Sequence, residues 1–129
     1  MQPAPYSPDT LTTLGGEAPY HLDDHAVRAI LATVLTVTRE FHVKPSVLFP
    51  RCRNARVATA RMTAMVLLRR RHQLTYMEIG GIFRRDHGTA IHAIHAISSR
   101  ATTDRAFGTV FERLLALTDP DRPAGTTAL

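Results

Sequence analysis

The stretch from Thr75 to Thr89, TYMEIGGIFRRDHGT, restricts the fold more than any other part of the chain. Thr75-x-x-Glu78 has the spacing of a capping box, in which the hydroxyl takes the amide three residues on and the carboxylate reaches back. It opens a helix that Gly80 and Gly81 keep short, because glycine is about 1 kcal/mol worse than alanine inside a helix. Asp86 then has the chemistry of a second N-cap. The helix it starts is expected to run to about Ser99, with Ala90, Ile91, Ile94 and Ile97 facing inward. Gly88, His92, His95 and Ser99 fall on its other side. Two helices joined this tightly have helix-turn-helix spacing.

The rest of the chain reads as helices around this pair. Asp23 and Asp24 are N-cap candidates for a helix carrying Val27, Ile30, Leu31, Val34, Val37 and Phe41 at three- and four-residue steps. Pro45 and Pro50 bracket a short turn expected to bury Val47 and Leu48, and residues 50–56, PRCRNAR, form a basic loop. From about Ala55 to Arg71 the apolar residues Val57, Met62, Met65, Val66, Leu67 and Leu68 go most of the way round, which implies a central, largely buried helix. A last helix, capped at Thr103 or Asp104, carries Phe107, Val110, Phe111, Leu114 and Leu115. No segment alternates as a strand would, so the expected class is all-α, a bundle of five or six helices. Residues 1–20 hold four of the eight prolines and are expected to be a disordered arm; residues 21–118 form the domain, and 119–129 a flexible tail.

Charge then points to a partner. The chain has a formal net charge of +5, and ten of its sixteen Lys and Arg residues fall between Lys44 and Arg85, a window whose only acid is Glu78. The single cysteine, Cys52, excludes an intramolecular disulfide framework and suits a reducing cytosol. No apolar run approaches the roughly 20 residues of a membrane-spanning helix, and the first residues carry no secretion signal.

Catalysis finds little support. No Gly-Lys pair of a phosphate loop is present. His92-x-x-His95, with His87 nearby, could share a metal, but a metal site needs three or four convergent ligands. A metal-dependent enzyme is therefore carried only as an alternative, and Cys52 has no partner histidine fixed by sequence. The expectation is no enzyme, no cofactor and no metal. Reading a duplex explains more. In a helix-turn-helix the first residues of the second helix meet base edges in the major groove. Asp86 can accept from a cytosine amino group, His87 can donate or accept, and Thr89 offers a hydroxyl or a methyl. Arg84 and Arg85 offset the cost of placing an acid near phosphates.

Residues 24–117 resemble the C-terminal DNA-binding domain of the bacterial replication initiator DnaA. The resemblance rests on Glu78-Ile79-Gly80, Phe83 and the run Arg85-Asp86-His87-Gly88-Thr89-Ala90-Ile91-His92-Ala93, against a family pattern of EIG, F-G-G and R-D-H-T-T-V-x-H-A. It implies a Trp-repressor-like helix-turn-helix bundle. It also implies base contacts from Arg53, in the minor groove, and from Asp86, His87, Gly88 and Thr89. Phosphate contacts are expected from Arg51, Arg56, Arg61, Arg69, Tyr76, Met77, Arg84 and Arg85. The chain departs from the pattern in four places. The turn is one residue shorter, with Arg84 in place of two glycines; Gly88 replaces a base-reading threonine; Met62 replaces a phosphate-binding glutamine; Arg69 replaces a lysine.

The initiator's ATPase module has no counterpart in these residues, so a free-standing reader of double-stranded DNA is expected, in the cytoplasm on the nucleoid and binding as a monomer. Such domains are similar to promoter-binding regulators, including the DNA-binding half of the alphaproteobacterial gene-transfer-agent activators. A transcriptional role beside RNA polymerase or a sigma-like co-activator is the first expectation. Control of replication through initiator-type boxes is the second.

Overall fold

The computed structural model describes residues 7–119. They form six α-helices and one short 3-10 turn, with no strand among the described residues. The helices are α1 (Asp9–Leu14), α2 (Asp24–Phe41), α3 (Ala55–His72), α4 (Tyr76–Ile82), α5 (His87–Thr103) and α6 (Arg105–Leu117), with the 3-10 turn at Pro45–Val47 between α2 and α3. The all-α expectation holds, and no helix of the described residues is long and apolar enough to cross a membrane.

The central helix is α3. Asn54 caps it by accepting from the amides of Arg56 and Val57. Ala60, Ala64, Met65, Val66, Leu67 and Leu68 are fully buried, and α3 packs against α2, α4 and α5. A helix buried on most of its circumference must satisfy any polar residue it encloses. Thr63 does so by donating to the Thr59 carbonyl at 2.7 Å. Asp23 caps α2 through the Ala26 amide at 2.8 Å. Asp104 both ends α5 and caps α6 by accepting from Phe107.

Three local details differ from the sequence pattern. Val47 and Ile91 are only partly buried; Phe49 and Ala93 take the inward positions instead. The Phe49 ring stacks on Phe83 with centroids 5.3 Å apart, which carries the turn after α2 onto the helix-turn-helix pair. The third difference is in the segment expected as an arm, whose described part, residues 7–20, contains α1 and packs on the domain. Leu11 is fully buried, and burying one leucine is worth about 2 kcal/mol. A Cβ on Gly16 would come within 2.7 Å of the Phe49 ring and 2.9 Å of the Ile82 carbonyl oxygen, so only glycine allows this close approach. The Glu17 amide then donates to the Ile82 carbonyl at 3.0 Å. Residues 1–6 of the expected arm and 120–129 of the expected tail lie outside the described residues.

Candidate nucleic-acid interface

The capping box at Thr75 is present as the spacing implies. The Glu78 amide donates to the Thr75 hydroxyl at 3.0 Å, and the Thr75 amide donates to the Glu78 carboxylate at 2.7 Å. That backbone donor is the main cause holding the Glu78 carboxyl below its usual range, and His21, hydrogen-bonded to the other oxygen, adds to it. Seven residues later α4 ends and the chain reverses. The Arg85 amide donates to the Gly80 carbonyl at 2.7 Å. A Cβ on Gly80 would stand 2.5 Å from the Arg85 carbonyl oxygen, so the turn closes only over a glycine. Gly81 faces open space and is exposed. Arg84 takes φ +57°, the left-handed region that favours glycine, at a cost of roughly 1 kcal/mol.

Asp86 caps α5 through the Thr89 amide at 2.8 Å. That amide is the first cause keeping its carboxyl ionised below the usual range, and the Thr89 side chain and His87 contribute. The cap uses one oxygen, Oδ1, and a carboxylate has a second that can accept from a base. Capping and reading are therefore compatible. Asp86, His87, Gly88 and Thr89 are all exposed, while Ala90, Ala93, Ile94 and Ile97 bury the underside of the same helix. A four-residue polar end is thus held out from a rigidly seated helix.

Beside it lies a cationic cleft of about 380 Å³ lined by Arg51, Cys52, Arg53, Arg61 and Arg85. Four of these five residues are arginines and none is acidic. Arg51 and Arg53 are exposed; Arg61 is half-buried. Burial first, and Arg85 second, lower the Arg61 pKa. Its Nη1 is buried without a hydrogen-bond partner. Four guanidiniums with no acid among them attract an anion to the cleft. The cleft therefore has the chemistry of a phosphate seat.

The remaining expected contacts divide into two kinds. Arg69 donates to the Leu74 carbonyl at 2.8 Å and lies over the Tyr76 ring at 4.4 Å, so both sit at the start of α4, beside an exposed Met77. Arg56 is exposed on the first turn of α3. Arg84 and Arg85 form the second kind, with guanidiniums that reach carbonyls far along the chain. Arg84 donates to the Gly15 carbonyl at 2.9 Å and lies 3.9 Å from the Glu17 carboxylate. Arg85 donates to the carbonyls of Phe83, Phe49 and Pro50. Nothing in the sequence pairs Gly15 or Glu17 with a residue some seventy positions on, and only the packed structure does so. His92 and His95 are exposed on α5, and no group of three or more His, Cys, Asp or Glu that could hold a metal occurs among the described residues.

A short capped helix, a tight glycine-dependent turn, an exposed polar start to the next helix and a cluster of guanidiniums define a helix-turn-helix DNA-binding domain. The family described as bacterial dnaA protein helix-turn-helix matches residues 31–97. The chain belongs to that family. It is 31% identical over 80 residues to the chromosomal replication initiator protein DnaA 1 of Chlamydia trachomatis, covering 61% of this chain and 18% of that protein. It is 34% identical over 67 residues to DnaA 2 of Chlamydia caviae, covering 52% of this chain and 15% of that protein. With DnaA of Desulfotalea psychrophila the identity is 32% over 72 residues, 56% of this chain and 15% of that protein. The chain thus spans less than a fifth of the length of these curated relatives.

Proposed function

We propose that this protein binds double-stranded DNA at a specific sequence and regulates transcription, as a monomer on the nucleoid, together with a partner that engages RNA polymerase. The observation that carries the DNA reading is the pairing of an exposed Asp86–Thr89 end with the arginine cleft beside it. The acid, histidine and threonine supply base selectivity in the major groove, Arg53 reaches the minor groove, and Arg61 with Arg51, Arg56, Arg69, Tyr76 and Met77 meets the backbone. Gly88 offers no side chain where the family pattern has a base-reading threonine, which supports a target other than the initiator's box. A promoter role fits such a target.

A second reading, control of replication by occupying initiator-type boxes, is favoured by the names of the relatives, all chromosomal replication initiator proteins. Genome-wide occupancy mapping of the wild type and of a variant lacking the Asp86–His87 pair separates the two. Peaks at promoters that vanish in the variant support transcriptional control. Peaks at the origin support the replication reading, and occupancy without sequence preference rejects both.

A further inference from the structure

Arg85 stands where the basic loop and the start of α5 meet, and its guanidinium points inward. Nη1 donates to the carbonyls of Phe83 at 2.6 Å and Phe49 at 3.0 Å, and Nη2 donates to that of Pro50 at 3.4 Å. Its own amide is bonded to the Gly80 carbonyl. The rings of Phe49 and Phe83 are buried and stacked against each other, so the two carbonyls that Nη1 bridges belong to anchored residues. Phe49 stands four residues before Arg53, and Asp86 follows Arg85 directly. One side chain thus ties the last fixed point before the loop to the last fixed point before the recognition helix.

Electrostatics alone would not place it there. Arg85 shares the cleft with Arg51, Arg53 and Arg61, and like charges crowd one another. Bridging three carbonyls from two directions uses the planar, multi-donor fork that guanidinium has and ammonium lacks. A base-reading contact must be held to within about 0.5 Å. An irregular loop can meet that demand only if something braces it.

We propose that Arg85 is a positioning residue rather than a phosphate ligand: it braces the basic loop at a set distance from α5, so that Arg53 and Asp86–Thr89 address the duplex as one unit. This rests on the DNA reading proposed for Arg53 and α5. Arg85→Lys separates the two roles, because lysine keeps the charge that a phosphate needs and cannot make the three-carbonyl brace.

The test compares wild type, Arg53→Ala, Arg85→Lys and the double variant on duplexes that keep the main site and vary the adjoining A·T flank. In the wild type the flank should matter by roughly tenfold. In Arg85→Lys that discrimination should fall to about twofold, and adding Arg53→Ala should then cost little more, a non-additive cycle. Independent of DNA, the Cys52 thiol in the loop should be alkylated about fivefold faster in Arg85→Lys, because the loop opens more often. Preserved flank discrimination with additive losses, or an unchanged thiol rate, would overturn the brace. A wild type that shows no specific site at all would instead refute the DNA reading, while the thiol rate still judges the brace. If Arg85→Lys does not fold, the guanidinium signals of the wild-type protein decide by NMR. Hindered rotation at Arg85 before DNA is added supports the brace, and free averaging refutes it.

Discussion

The basic loop and the first turn of α5 are joined through Arg85 and are built in opposite ways. Residues 51–54 have no regular structure, and Arg51 and Arg53 stand exposed. The first turn of α5 is capped by Asp86, closed against Gly80 and backed by four buried side chains. The difference follows from what each region handles. Attraction between guanidinium and phosphate acts over roughly 8 Å at physiological salt and tolerates movement. Hydrogen bonds to base edges fail when misplaced by a fraction of an ångström. Attraction alone can therefore come from a mobile segment, while base reading, by Arg53 as by the start of α5, needs a position that is held.

The largest effect should come from breaking the rigid side. Gly80→Ala puts a Cβ 2.5 Å from the Arg85 carbonyl oxygen, and should destabilise the domain by about 2 kcal/mol in thermal melts and abolish sequence preference. Gly81→Ala is the control. Its neighbour-free position predicts a gain of about 0.5–1 kcal/mol and unchanged binding. If both variants behave alike, the turn is not what seats α5.

Next comes the attractive side. Arg61→Ala should weaken binding to every duplex by about 1–2 kcal/mol and lower the slope of log affinity against log salt by about one, without altering which site is preferred. A changed site preference would mean that Arg61 itself takes part in base reading. Smaller still is Gly88→Thr. A Cβ there finds only Asp86 Oδ1 at 3.4 Å, so the threonine fits and should add about 1 kcal/mol toward initiator-type boxes. Competition binding between the two site classes measures it.

The smallest effect involves neither region. His72 shares a hydrogen bond with the buried Thr33, and burial lowers its pKa below the ordinary value. The folded state therefore favours the neutral ring. Stability from this group is complete above the ordinary histidine pKa of about 6.5 and is lost as pH falls toward the lowered folded value. Melting temperatures should decline on acidification from neutral pH, and His72→Gln should flatten that decline. DNA site preference should be the same in both proteins at neutral pH.

Much of this organisation was legible in the residues because it rests on local chemistry. Caps at Asp23, Thr75, Asp86 and Asp104 act within three residues of themselves, and the burial of α3 follows from apolar residues on most of its faces. The start of α5 was legible for the same reason. What escaped depends on contacts distant in sequence. Leu11 is one buried leucine in a proline- and glycine-rich stretch, where average composition outweighs a single anchor. Phe49 and Val47 are both apolar, and only the partner Phe83 decides which turns inward. The charge of Arg84 and Arg85 is visible in a sequence, whereas the carbonyls of Gly15, Phe49 and Pro50 to which they donate are not.

Selection of binding sites from random duplexes, run with the wild type and with Asp86→Asn, tests base reading by α5 most directly. Asparagine also caps a helix well, so the fold stays intact while the acceptor charge is lost. If α5 lies in the major groove, the wild type selects a defined site, and the variant selects one altered at one or two adjacent base pairs, with the rest retained. Identical selected sites for both proteins would contradict it.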